Sequence, residues 1–121
     1  MKVDVEEQVA QMFLVGIPNK KCIPNVVNLI KNYSIGGVLI YKNNFSDLHE
    51  LEKLINKLYK ANSKNELPLF IAIDEEGGRV NRLPLEFKNI PSAFKMASKS
   101  NDVIENTYNL LSENLHIWDL I

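Results

Sequence analysis

The chain has 121 residues, 45% of them hydrophobic and 24% charged, which is the balance of a folded globular domain rather than a disordered segment. Its 14 Lys and Arg against 15 Asp and Glu leave a formal net charge of −1, so there is no electrostatic footprint for a nucleic acid. One cysteine, Cys22, and two histidines, His49 and His116, exclude an intrachain disulfide and the usual zinc clusters.

Asp4, Glu6 and Glu7 put charge where a secretory leader needs an uninterrupted apolar run, so a cytoplasmic location is expected. Asp4 with Glu7 is also a capping-box start, and Val5, Val9, Met12 and Phe13 recur on one face of a short opening helix. Phe13–Ile17 reads as a brief buried strand. Pro24 suits the first turn of a second helix carrying Val26, Val27 and Ile30. Gly36 and Gly37 precede the next strand, Val38–Tyr41, where close packing is their expected use. Asp47 and Glu50 cap a third helix, which runs to about Ala61 on Leu48, Leu51, Leu54, Ile55 and Leu58. Leu69–Ile73 is a third strand, followed by a long loop over Asp74–Pro91. A last helix over Asp102–Leu115 is expected to bury Ile104, Thr107, Tyr108, Leu111 and Leu115, while Met12, Phe13 and Phe70 read as core. The apolar runs Gly36–Tyr41 and Leu67–Ile73 fall far short of the roughly 18 residues that span a bilayer, so no membrane is expected.

The order of elements is α/β, with connections long enough for right-handed crossovers between parallel strands. Periodicity alone leaves an open doubly wound sheet and a closed barrel both standing. A (β/α)8 barrel takes about 250 residues, so this chain would be the N-terminal portion of one. Residues 1–121 are then a truncated barrel domain, whose uncovered strands and helix faces should favour self-association or a missing barrel half.

In either architecture ligands bind at the carboxyl ends of the strands, and Asp74 sits there, directly after Ile71-Ala72-Ile73. Its carboxylate suits two sugar hydroxyls; capping of the following turn is the bland alternative. Glu76 and Arg79 are expected to pair and fix the loop around Gly77 and Gly78, with Arg82 open to ligand contact. Adjacent arginines oppose a dication, so no metal is expected among Glu75, Glu76 and their neighbours, and no other cofactor. Gly77-Gly78 lacks both phosphate-loop fingerprints, and neither His49 nor His116 is placed as a catalytic base. Cys22 reads as a buried or partly buried thiol.

Three blocks, Val5–Met12, Ile35–Ile40 and Ile73-Asp74-Glu75-Glu76-Gly77-Gly78-Arg79-Val80, extended by Arg82 and Ile90-Pro91-Ser92-Ala93, carry a resemblance. Together they resemble the N-terminal part of glycoside hydrolase family 3, in particular its bacterial β-N-acetylhexosaminidase branch, up to about Glu113. The resemblance implies a TIM (β/α)8 barrel that removes terminal β-linked sugars with retention, through a covalent glycosyl-enzyme intermediate. It implies that Asp74 holds hydroxyls of the terminal sugar and that Arg82 lies near the same pocket. The substrate implied is an amino sugar or cell-wall fragment. The family's aspartate nucleophile and histidine-containing acid/base loop have no counterpart here, so the chain supplies no catalytic residue. The expected function is that of an N-terminal part of such a glycosidase, inactive alone; a non-catalytic α/β carbohydrate-binding or interaction module is the alternative. After Leu115 the residues His116–Ile121 depart from the fourth strand the family would show.

Overall fold

A computed structural model describes residues 4–117 and Leu120. The elements follow in the order α1 (Val5–Ala10), β1 (Leu14–Gly16), α2 (Ile23–Tyr33), β2 (Gly37–Ile40), α3 (Leu48–Asn62), β3 (Phe70–Ile73), α4 (Ala93–Met96) and α5 (Asn101–Ile117), with 3₁₀ turns at Lys20–Cys22 and Lys42–Asn44. Helix starts are set by the expected caps. The Glu7 N–H donates to Asp4 Oδ1 at 2.8 Å, and the Glu50 N–H to Asp47 Oδ1 at 2.8 Å. Pro24 lies in the first turn of α2, and Ser34 ends that helix in the left-handed region at φ 53°, its N–H donating to the Ile30 carbonyl. The four-residue α4 has too little periodicity to be visible in sequence.

The sheet is parallel and its spatial order, β1-β2-β3, is the chain order. Val15, Val38 and Ile71 share one cross-strand row, and Ile40 pairs with Ile73. Leu120 makes a single parallel bridge to Ile71, so it occupies the β3 edge that β2 leaves open, and it is buried. Leu120 falls in the segment His116–Ile121 whose sequence departs from the family's fourth strand; Trp118, Asp119 and Ile121 lie outside the described residues.

Side chains alternate between two unequal faces. Ile17, Val38, Ile40, Ile71 and Ile73 are buried in one core with Val26 and Ile30 of α2 and with Leu51, Leu54, Ile55 and Leu58 of α3. Burying such a side chain is worth about 1.5–3 kcal/mol, and this layer holds the unit together. The opposite face carries Leu14, Gly37 and Phe70 in one row and Gly16, Leu39 and Ala72 in the next. Leu14 and Phe70 are both 54% exposed, so the expected burial on both faces is met on the helix side only. Met12, Phe13 and Phe70, expected in the core, are likewise exposed, because no described element covers that side of the sheet or the apolar stripe of α1. In α5, Ile104, Thr107, Leu111 and Leu115 are half-buried and Tyr108 is exposed rather than buried.

Close packing does explain Gly36 and Gly37. A Cβ on Gly36 would run into the Gln11 carbonyl, and one on Gly37 would come within 2.6 Å of Leu14 Cδ1. The Gly36 N–H donates to the Ala10 carbonyl at 3.2 Å, which ties the end of α1 to the entry of β2.

Candidate functional site

All three strands run the same way, so the segments leaving Gly16, Ile40 and Ile73 meet at one rim of the sheet. Asn44 laces two of them. It is buried, its Nδ2 donates to the Ile17 carbonyl at 2.8 Å, and its Oδ1 accepts from the Tyr41 N–H at 2.7 Å. Asn43 Nδ2 donates to the Pro18 carbonyl at 2.8 Å, adding a second tie between the β1 and β2 exits. Sequence reasoning passed over Asn44; a polar Lys42-Asn43-Asn44 run after a buried strand was the available signal.

Asp74 stands one position past β3, exposed and in phase with Ala72 on the side away from α2 and α3. Extending the Ile40–Ile73 pairing by one residue puts Tyr41 beside it. Glu75 then shapes the loop. Its Oε1 accepts from the Gly77 N–H at 3.0 Å, and its Oε2 accepts from the N–H groups of Arg82 at 2.9 Å and Leu83 at 3.3 Å. One carboxylate therefore closes residues 75–83 on themselves, while buried Leu83 anchors the returning chain in the core.

The pairing expected between Glu76 and an arginine is not formed. Glu76 and Arg79 are exposed; among the described residues Lys20 pairs with Glu50 at 2.6 Å, and His49 Nδ1 lies 3.9 Å from Glu52 Oε2. Glu76 contributes its backbone N–H, which donates to the Val80 carbonyl at 3.0 Å. The physical reason is reach: the inward-turned N–H groups of the loop surround the Glu75 carboxylate, and Glu76 faces water.

Gly77 and Gly78 have φ of +72° and +62°, a region that side-chain-bearing residues enter at a cost of roughly 1–2 kcal/mol. They are also tightly covered. A Cβ on Gly77 would lie 2.5 Å from the Pro91 carbonyl oxygen, and one on Gly78 2.8 Å from Ser92 Cβ. The Gly78 N–H donates to the Ile90 carbonyl at 2.9 Å, so the Ile90-Pro91-Ser92 block seats directly on the two glycines.

Arg82 is half-buried, and its Nε is fully enclosed without a hydrogen-bond partner among the described residues. Such an orphan donor calls for an acceptor that the described residues do not supply. A cleft of about 1000 Å³ opens on the outer side of the loop between Glu76, Arg79, Phe94, Lys95 and Tyr108. Neither Asp74 nor Arg82 lines it, so this cleft and the strand-end rim are different places. Cys22 is half-buried with Sγ 3.6 Å from Asn19 Oδ1, and His49 and His116 are exposed. Among the described residues no three His, Cys, Asp or Glu side chains gather as a metal site, and no helix is long and apolar enough to cross a membrane.

The model of the glycosyl hydrolase family 3 N terminal domain matches residues 4–116. Over 65 residues the chain is 45% identical to beta-hexosaminidase A of Pseudoalteromonas piscicida, an alignment covering 52% of this chain and 11% of that protein. A glycoside hydrolase family 3 beta-N-acetylglucosaminidase from a Paenibacillus species superposes with a TM-score of 0.67 at 25% identity, over 75% of this chain and 18% of its own. A family 3 glycosyl hydrolase from Mycobacterium smegmatis superposes with a TM-score of 0.77 at 24% identity, over 97% of this chain and 34% of its own, which speaks for the fold. The chain spans between 11% and 26% of the length of the curated relatives it matches.

Proposed function

Because the chain belongs to glycosyl hydrolase family 3, as part of its N-terminal domain, we propose that it contributes the sugar-holding carboxylate of a retaining β-N-acetylhexosaminidase-like enzyme. Its three parallel strands and covering helices are the opening βα units of a TIM barrel. The observation that carries the reading is Asp74, set one residue past β3 at the rim where barrel enzymes bind their ligands and inside the Ile73–Val80 motif. In this reading Asp74 accepts two hydroxyls of a terminal amino sugar or cell-wall fragment, and the enclosed Arg82 Nε faces an acceptor of the same ligand. Gly77 and Gly78 give the loop its shape, and Glu76 and Arg79 lie on its solvent side toward the outer cleft.

A retaining mechanism needs a carboxylate that attacks the anomeric carbon and a second group that protonates the leaving oxygen and then activates water. Neither is assigned to this chain, which binds and orients the sugar. The working location is the cytoplasm, and the working partner is either the remainder of a barrel or a second copy covering the open sheet face.

Titration of the isotope-labelled chain with methyl N-acetyl-β-D-glucosaminide tests the reading. Amide signals of residues 74–83 are expected to shift, and Asp74→Ala is expected to remove the shifts. No shift in the wild-type chain overturns the proposal. An aryl N-acetyl-β-glucosaminide should not be hydrolysed by this chain; turnover that survives repurification and exceeds a heat-killed control would show that a catalytic pair has been missed.

A further inference from the structure

We infer that Tyr41 is a second sugar-contacting residue, its phenol forming a wall of the pocket that Asp74 opens; the inference rests on the sugar-site reading above. The register is the first ground. Tyr41 follows β2 as Asp74 follows β3, on neighbouring strands about 4.8 Å apart and in phase on the face that no helix covers.

The second ground is the state of the side chain. The ring lies across Gly16 of β1, close enough that a Cβ there would meet the Tyr41 Oη at 2.8 Å and Cε2 at 3.1 Å. The residue is half-buried. A phenol joins an apolar ring face to an O–H that can both donate and accept. Rigidity is the third ground. The Tyr41 N–H is fixed by Asn44 Oδ1 at 2.7 Å and its carbonyl by the Asn44 N–H at 2.9 Å, while Asn44 itself is bonded to the end of β1. Backbone locking of this kind presents the phenol in one place before any ligand arrives.

The chemistry matches a sugar better than other ligand classes. A pyranose has an apolar C–H face and a rim of hydroxyls; Tyr41 offers an apolar ring face with a polar tip, and Asp74 offers two acceptor oxygens. Of these two residues Asp74 alone is charged, and the Arg82 guanidinium assigned to the same ligand offsets it, which suits a neutral polyol.

The same titration with methyl N-acetyl-β-D-glucosaminide, extended to Tyr41 variants, is the test. Tyr41→Phe keeps the ring over Gly16 and removes only the hydroxyl; affinity is expected to fall about five-fold, the worth of one net hydrogen bond. Saturating the aromatic protons should transfer magnetisation to the sugar ring protons in wild type and in Tyr41→Phe, and lose the Tyr41 component in Tyr41→Ala. A space-filling role alone would leave Tyr41→Phe at wild-type affinity with no such transfer. Wild-type affinity in both variants overturns the role of Tyr41 and leaves that of Asp74 intact, whereas a wild-type chain that does not respond to the sugar overturns both.

Discussion

Glu75 and Glu76 carry the same side chain at adjacent positions, but only the Glu75 carboxylate is within reach of the N–H groups of Gly77, Arg82 and Leu83. Replacing it with alanine leaves three loop amides without that acceptor, and an enclosed amide without a partner costs about 1–3 kcal/mol. Glu75→Ala is therefore expected to speed hydrogen exchange at the Gly77, Arg82 and Leu83 amides by at least ten-fold. Glu76→Ala should leave those three amides unchanged, since its side chain faces solvent. Equal exchange in the two variants would remove Glu75 from its place as organiser of the loop. At this scale the sequence placed Asp74 just past the third strand, where the structure has it, but did not show how the loop is held. Asp74 was legible because a carboxylate immediately after an apolar strand has one place to go. Three consecutive acids carry no periodicity, however, so nothing in their spacing separates the one that turns inward from the one that faces water.

The helix α3 illustrates what spacing reveals at the level of an element. Asp47 at its N-cap and Leu51, Leu54, Ile55 and Leu58 on its inner face follow the helical repeat, and both cap and buried face are found as expected. Its first turn holds a further feature. The Glu50 carboxyl is lowered from 4.5 to about 2, chiefly by the hydrogen bond from Lys20, then by the side-chain and backbone bonds from Ser46, with the Lys20 charge adding to these and burial opposing them. A carboxyl depressed in the folded state contributes stability above its unfolded value and loses it as pH falls through the folded one. Wild type should thus be more stable than Glu50→Gln near neutrality, and the gap should close between pH 4.5 and about 2. Both side chains are 46% exposed, so the gap is small and added salt should shrink it. Urea denaturation of the two proteins across that range is the measurement, and a gap independent of pH would assign the difference to helix capping instead. The Lys20–Glu50 bond joins residues on opposite sides of β2 in the chain, a long-range pairing that no local pattern encodes.

The whole molecule is a sheet with one finished side. Val38, Ile40, Ile71 and Ile73 lie under α2 and α3, whereas Leu14 and Phe70 across the sheet, and Met12 and Phe13 beside it, are more than half exposed. Sequence could not separate the two sides, because a continuous apolar strand reads the same whether its second face is covered by the same chain or by another body. Light scattering over a wide concentration range is expected to show dimers or larger species, with a hydrophobic dye binding to the species that remain monomeric. A strictly monomeric mass with no dye binding would mean that this face is satisfied within the chain. The chain order of the strands also bears on how the protein is made. Each strand docks on the one synthesised just before it, so the growing sheet needs no later segment to be inserted between strands already joined. The nascent protein thereby carries a single advancing edge, which after β3 is the backbone of Ile71, and Leu120 is where the next stretch of chain begins to cover it. The roughly 50 residues between them take about 3–10 s to translate, an interval during which that edge is open to chaperones or to a neighbouring nascent chain.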